Sequence, residues 1–153
     1  MPVKKLKEFL DKENIKYVSI VHSTAYTAQE VAASAHITGR ELAKTVIVQL
    51  DGEMAMAVLP ANRKIILQDL REVTGSDQVK FVAEEDFKKR FPDCETGAMP
   101  PFGNLYGMEV FVSEQLAEDD HIAFNAGTHT EVMRLAYPDF ARLVKPKVAR
   151  FTD

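Results

Sequence analysis

Lys44 is the residue whose type and setting most invite chemistry. It lies between Ala43 and Thr45, at the entry of a run (residues 45–50) that is nearly all β-branched or apolar. A strand of that composition reads as covered on both faces. A lysine there must emerge at a sheet end or meet an anion. The functional reading is a fixed cation that holds a phosphate or a developing oxyanion. The plain alternative is a strand-end lysine that reaches solvent.

A second candidate is the segment FPDCETGAMPPFGNLYG, residues 91–107. It holds three of the seven glycines and three of the seven prolines, with no periodic apolar pattern. Such a run is a shaped loop. Gly97 can take backbone angles closed to other residues, while Pro100 and Pro101 stiffen the adjoining backbone and remove two N–H groups. The expected result is a rigid wall whose N–H groups at Gly97, Ala98 and Met99 face a ligand. The alternative is an ordinary surface turn.

Several familiar catalytic devices are absent. The chain has no P-loop, no GxGxxG, no GxSxG and no HExxH. The histidines at 22, 36, 121 and 129 form no pair at helical ligand spacing. Neither a metal nor a cofactor is expected. Cys94 has no neighbour in sequence that marks it as activated, so it reads as inert packing.

The elements that must position these residues can be read from periodicity. Leu6, Phe9 and Leu10 give residues 3–13 the stripe of a helix. Residues 17–21 read as a strand. Thr27-Ala-Gln-Glu30 is a capping box for a helix running to about residue 36. The 45–50 strand returns through an Asp51-Gly52 hairpin as 54–59, closed by Pro60. Residues 67–73 and 84–90 read as helices, the second burying Phe87 and Phe91. Residues 79–82, 109–112, 122–125 and 130–135 read as strands, the last pairing back across Ala126-Gly127. Tyr137, Phe140, Ala141 and Val144 mark a final helix with Pro138 in its first turn. Helices and hairpins mix without a regular β-α repeat. The fold class is therefore α+β, with a curved, mostly antiparallel mixed sheet that is barrel-like and flanked by helices.

At 153 residues the chain reads as a single domain, 1–153, able to bury about two-thirds of its surface. No apolar run approaches bilayer length. The charged, amphipathic start MPVKKLKEFLDKE is not expected to be a signal peptide. A lone cysteine excludes an internal disulfide framework and fits a reducing cytoplasm. A net charge of −4 argues against a general nucleic-acid coat. One local exception is the stretch 134–150, with Arg134, Arg142, Lys145, Lys147 and Arg150 against the single acid Asp139. That asymmetry suits a polyanion met on one face, or simply a solvated helix and strand.

Four motifs, in order, carry a resemblance. They are Gly39-Arg-Glu-Leu-Ala-Lys44-Thr-Val-Ile-Val, Leu59-Pro60-Ala61-Asn62-Arg63, Gly97-Ala-Met-Pro-Pro101-Phe-Gly103 and Phe124-Asn-Ala-Gly-Thr-His129. Together they resemble the YbaK family, which includes free-standing aminoacyl-tRNA deacylases and the editing domain of bacterial prolyl-tRNA synthetases. The likeness runs from about residue 15 to 145. It implies a curved mixed sheet with a cleft, and hydrolysis of the ester that joins a wrong amino acid to tRNA. It implies Lys44 as the essential lysine. The Gly97–Pro101 loop, with Ala98 and Met99, would then shape the aminoacyl pocket. Asn125, Ala126, Gly127 and His129 would close that pocket, and His22 and Tyr26 would border the cleft. The family pattern varies at His129, which leaves a pocket-lining role and a catalytic role both open.

The function implied is trans-editing of mischarged tRNA carrying a small amino acid of the alanine, cysteine or serine class, for example on tRNA(Pro). The partners implied are the acceptor end of aminoacyl-tRNA and a synthetase as a candidate, with no membrane and no DNA. The location implied is cytoplasmic. The alternative of a different class is a non-catalytic module of the same fold that docks on tRNA or a synthetase. A third reading is hydrolysis of a small ester or amide unrelated to tRNA.

Overall fold

A computed structural model describes residues 4–21 and 41–153. His22, Tyr26 and the helix expected from the capping box at Thr27 lie outside the described residues.

The described chain opens with helix α1, Lys4–Lys12, whose Leu6 and Leu10 are fully buried. Phe9 on the same helix meets Phe102 edge-on, with ring centroids 6.3 Å apart. Strand β1, Tyr17–Val21, is next. Strands β2, Leu42–Leu50, and β3, Glu53–Pro60, form the expected hairpin around Asp51-Gly52. Helix α2, Leu67–Thr74, and strand β4, Val79–Phe81, come after it. Beyond the short helix α3, Glu84–Phe87, and the glycine- and proline-rich loop come β5, Glu109–Ser113, and the one-turn helix α4, Glu114–Ala117. Strands β6, His121–Asn125, and β7, Glu131–Ala136, make a second hairpin. Helix α5, Tyr137–Val144, and strand β8, Lys147–Ala149, end the series.

All eight strands join one mixed sheet in the order β1-β7-β6-β2-β3-β5-β8, with β4 added on β2. The pairs β1–β7, β6–β7, β2–β3 and β2–β4 are antiparallel, and β2–β6, β3–β5 and β5–β8 are parallel. The curved, mostly antiparallel α+β architecture is as the residue pattern predicts.

Strand alternation divides the core in two. Ala43 and Ile47 of β2, Met56 and Val58 of β3, and Ile122 and Phe124 of β6 enter a large cluster with α1, Met99, Phe102 and Phe140. Val48, Ala55, Ala57 and Leu59 face the other way, onto Leu70, Phe111 and Phe151. The central hairpin is therefore covered on both faces, which explains its near-continuous apolar sequence.

Three local departures have physical causes. Strand β2 begins at Leu42, because Leu42 and Ala43 gain a parallel partner in Ala123 and Phe124 of β6. The helix expected over 84–90 is α-helical only through Phe87 and then tightens to a 3₁₀ turn, Lys88–Arg90. Pro92 disfavours helical angles at Phe91, and the turn brings Phe87 and Phe91 together edge-on at 6.3 Å. Helix α4 is too short to show a period; it starts where the Ser113 hydroxyl accepts the Gln115 N–H.

Candidate functional site

Strands β2 and β6 run parallel for only two residue pairs, Leu42 with Ala123 and Ala43 with Phe124. One residue further, β6 reaches its last residue, Asn125, while β2 continues with Lys44. Beyond that point the two strands part, and β2 runs on without β6. Ala43 and Phe124 both point into the main core. By alternation, Lys44 and Asn125 both take the opposite face, each one residue past the last paired position.

Lys44 is half-buried. Among the described residues it makes no ion pair. Its pKa is lowered, chiefly by desolvation, with the carboxylate of Asp153 opposing that effect and the Lys64 ammonium adding to it. Asp153 is held firmly: its Oδ1 accepts the Lys64 N–H at 2.8 Å and its own N–H donates to the Lys64 carbonyl. Beside it, Thr152 bridges Ile65, and Phe151 is buried on the Lys44 face of the hairpin. Nothing in sequence links Asp153 to Lys44, since the tail reaches it only through tertiary packing.

The loop after β6 is bolted to the glycine- and proline-rich loop. The Glu95 N–H donates to the Gly127 carbonyl at 2.8 Å, and the Gly127 N–H donates to the Ala98 carbonyl at 2.9 Å. The imidazole of His129 adds a third bolt. Its Nε2–H donates to the Thr96 carbonyl at 2.8 Å, and its backbone N–H reaches Glu95 Oε2 at 3.4 Å. His129 is 5% exposed, and its ring lies over Gly97, where a Cβ would sit 3.5 Å from Cε1. Gly97 and Gly127 have φ of +87° and +94°, the left-handed region that other residues enter at a cost. Both glycines are there because the backbone needs that conformation.

Five of the residues singled out in sequence therefore meet: Gly97, Ala98, Gly127 and His129 in the bolted loops, and Asn125 at their root. Lys44 joins them through the β2–β6 register. Met99 differs from expectation, because its side chain is buried in the main core. Pro101 is also buried. Of the three N–H groups expected to face a ligand, that of Ala98 is spent on the Glu95 carbonyl at 3.0 Å. No backbone carbonyl among the described residues accepts from Gly97 or Met99. Glu95 and Thr96 escape sequence reasoning, although both adjoin the Gly97 motif.

Cys94 is placed as inert packing. Burial pushes its thiol up to about 11, with the Tyr106 hydroxyl 3.4 Å away acting in the opposite sense. Three of the five cations in the stretch 134–150 pair with acids of the protein. Arg134 pairs with Glu41 at 2.6 Å, Arg142 with Asp139 at 3.5 Å, and Lys147 with Glu109. Glu41 and Glu109 come from distant parts of the chain, which the local charge count could not include. Among the described residues no group of three or more His, Cys, Asp and Glu side chains could hold a metal ion. A cavity of about 830 Å³ opens at the far end of β2, lined in part by Asp51, Glu53, Arg90, Glu109 and Lys147. Lys147 is paired with Glu109, and Arg90 donates to the Tyr106 carbonyl at 3.1 Å, so that cavity presents no cluster of uncommitted charge.

No helix of the described residues is long and apolar enough to cross a membrane. No curated protein matches the chain. Solved structures do. A hypothetical protein, APE2540, superposes with a TM-score of 0.87 at 16% identity, over 98% of this chain and 100% of its own. A protein proposed to be a trans-editing enzyme for prolyl tRNA synthetase superposes at 0.83 and 16% identity, over 99% and 96%. A Marinobacter aquaeolei VT8 protein with a suggested signal-transduction role superposes at 0.76 and 17% identity, over 99% of this chain but 31% of its own. At such identities these likenesses establish the fold. The family model of the aminoacyl-tRNA editing domain matches residues 22–143, and the chain belongs to that family.

Proposed function

We propose that this chain, acting as a single domain, is a trans-editing aminoacyl-tRNA deacylase. Its substrate is mischarged tRNA carrying a small amino acid of the alanine, cysteine or serine class, with tRNA(Pro) the first candidate. The observation that carries this reading is Lys44, a half-buried cation without an ion pair among the described residues, at the split between β2 and β6. Membership of the editing-domain family supports it, and the likeness to a protein proposed to serve prolyl tRNA synthetase motivates the choice of tRNA.

A ribose ester is labile, so placement and charge stabilisation supply most of the catalysis needed. A positioned water attacks the carbonyl carbon and gives up a proton, which passes to the departing ribose oxygen. The carbonyl oxygen becomes an oxyanion, and its collapse expels the ribose oxygen. Lys44 holds the terminal phosphate or that oxyanion. The bolted loops around Gly97 and Gly127 shape the aminoacyl pocket. With Nε2 committed to Thr96, His129 serves this pocket as a latch. His22 and Tyr26 border the cleft in this reading. Its setting is the cytoplasm, where aminoacyl-tRNA is made.

The test is deacylation of a panel of mischarged tRNAs by wild type and Lys44→Ala. Turnover by wild type that disappears in the variant supports the enzyme. Tight binding of tRNA or a synthetase without turnover selects the non-catalytic module instead.

A further inference from the structure

Asn125 is 9% exposed, and its side-chain Oδ1 is buried without a hydrogen-bond partner among the described residues. A buried acceptor in that condition destabilises the free protein, and native structures keep few of them. The neighbours show where the amide points. Ile122, Phe124 and Ala126 belong to the main core, so Asn125 takes the other face of β6, the face on which Lys44 follows the last β2–β6 pair. Gly127, two residues on, is bonded to the Gly97 loop. The unsatisfied acceptor thus lies between the candidate cation and the loops that would shape the aminoacyl pocket.

We propose that Asn125 Oδ1 is the specificity acceptor of the site: it receives a hydrogen bond from a donor at the aminoacyl-adenosine end of the substrate. This rests on the deacylase reading. That end of the substrate carries two suitable donors, the α-ammonium of the amino acid and the free ribose hydroxyl next to the ester. Lys44 takes the anionic part of the substrate and Asn125 the donor, so the two side chains divide recognition between them. A substrate lacking the donor leaves the acceptor buried and unpaired, which is the strongest basis for rejecting it.

The experiment uses the full chain and a stable probe, 3′-alanylamino-3′-deoxyadenosine 5′-phosphate, in which an amide replaces the ester. Thermal melting and probe affinity are measured for wild type, Asn125→Leu and Asn125→Asp. Leucine is close in volume and has no acceptor, so the free variant should melt at or above the wild-type temperature and bind the probe at least about tenfold more weakly. Aspartate keeps the acceptor and should retain binding. N-acetylation of the probe should remove the wild-type advantage over Asn125→Leu if the α-ammonium is the donor. A 2′-deoxy probe should remove it if the hydroxyl is. The proposal is overturned if Asn125→Leu melts several degrees lower, if it binds the probe as well as wild type does, or if Asn125→Asp loses binding. Wild type that does not bind the probe overturns the deacylase reading and this proposal together, and is distinguished by the wild-type measurement alone.

Discussion

Lys44 and Cys94 are two partly buried groups with reactive chemistry, and burial acts on both in the same sense. It favours the neutral form, lowering the amine and raising the thiol. The consequences are opposite. A thiol pushed up to about 11 is protonated at neutral pH and has lost its nucleophile. For the lysine, the Asp153 carboxylate opposes a desolvation that still lowers the pKa, and Lys44 makes no ion pair among the described residues. Cys94 has close company, with the Tyr106 hydroxyl at 3.4 Å and Asp93 Oδ1 at 3.7 Å. The contrast teaches that burial alone does not mark a site. What sets Lys44 apart is a desolvated amine without an ion pair among the described residues.

The largest expected effect tests the lysine. Lys44→Ala should reduce deacylation by about a hundredfold or more, the loss typical of one strong transition-state contact. Its melting temperature should stay near wild type or rise, because a partly desolvated charge is removed. Turnover close to wild type would break the contrast at its stronger end.

Gly97→Val comes next. A β-branched residue at φ +87° is strained, and its side chain would press on the His129 ring. The variant should lose turnover per folded molecule about tenfold, and melt lower by a strain of roughly 1–3 kcal/mol. Turnover and melting measured on one preparation separate the two losses. Full activity with reduced stability would make this loop an ordinary turn.

Asp153→Asn should have a smaller effect that sharpens the role of the counter-charge. Removing the carboxylate takes away an influence that raises the Lys44 pKa, so the lysine should lose its proton at lower pH. Activity that needs the ammonium should then decline from the alkaline side earlier than in wild type, with little change at pH 6. Stability carries its own sign. The folded pKa of Lys44 lies below its unfolded value, so the unfolded chain binds more protons between the two and stability gains as pH rises through that window. NMR titration of the Lys44 side chain in both proteins reads the shift directly. An unmoved midpoint would remove Asp153 from the site.

The smallest effect belongs to Cys94→Ala, which should leave turnover within about twofold of wild type. The native thiol should react slowly with a disulfide reagent at pH 7 and faster as pH approaches 11. Rapid modification at neutral pH with matching loss of activity would overturn its assignment as packing.

Sequence alone determined most of the elements, because each has a local cause. Leu6 and Leu10 repeat at helical spacing. Asp51-Gly52 closes a hairpin between two apolar runs. Pro138 opens the last helix. The candidate residues were also legible one by one, since a lysine against an apolar strand and a glycine four residues before a proline stand out by type. Tertiary structure decided everything that depends on which distant segments meet. The parallel pairing of β2 with β6 started β2 three residues earlier than its composition suggests, and put Lys44 and Asn125 on one face just past the last pair. The loop bonds gave His129 the part of a latch. Packing of the last residues brought the Asp153 charge to bear on Lys44, and folding paired Arg134 and Lys147 with acids from distant segments. Local propensity acts over a few residues, whereas charge, burial and hydrogen bonding are settled by neighbours in space, and a single chain does not print those neighbours in its order.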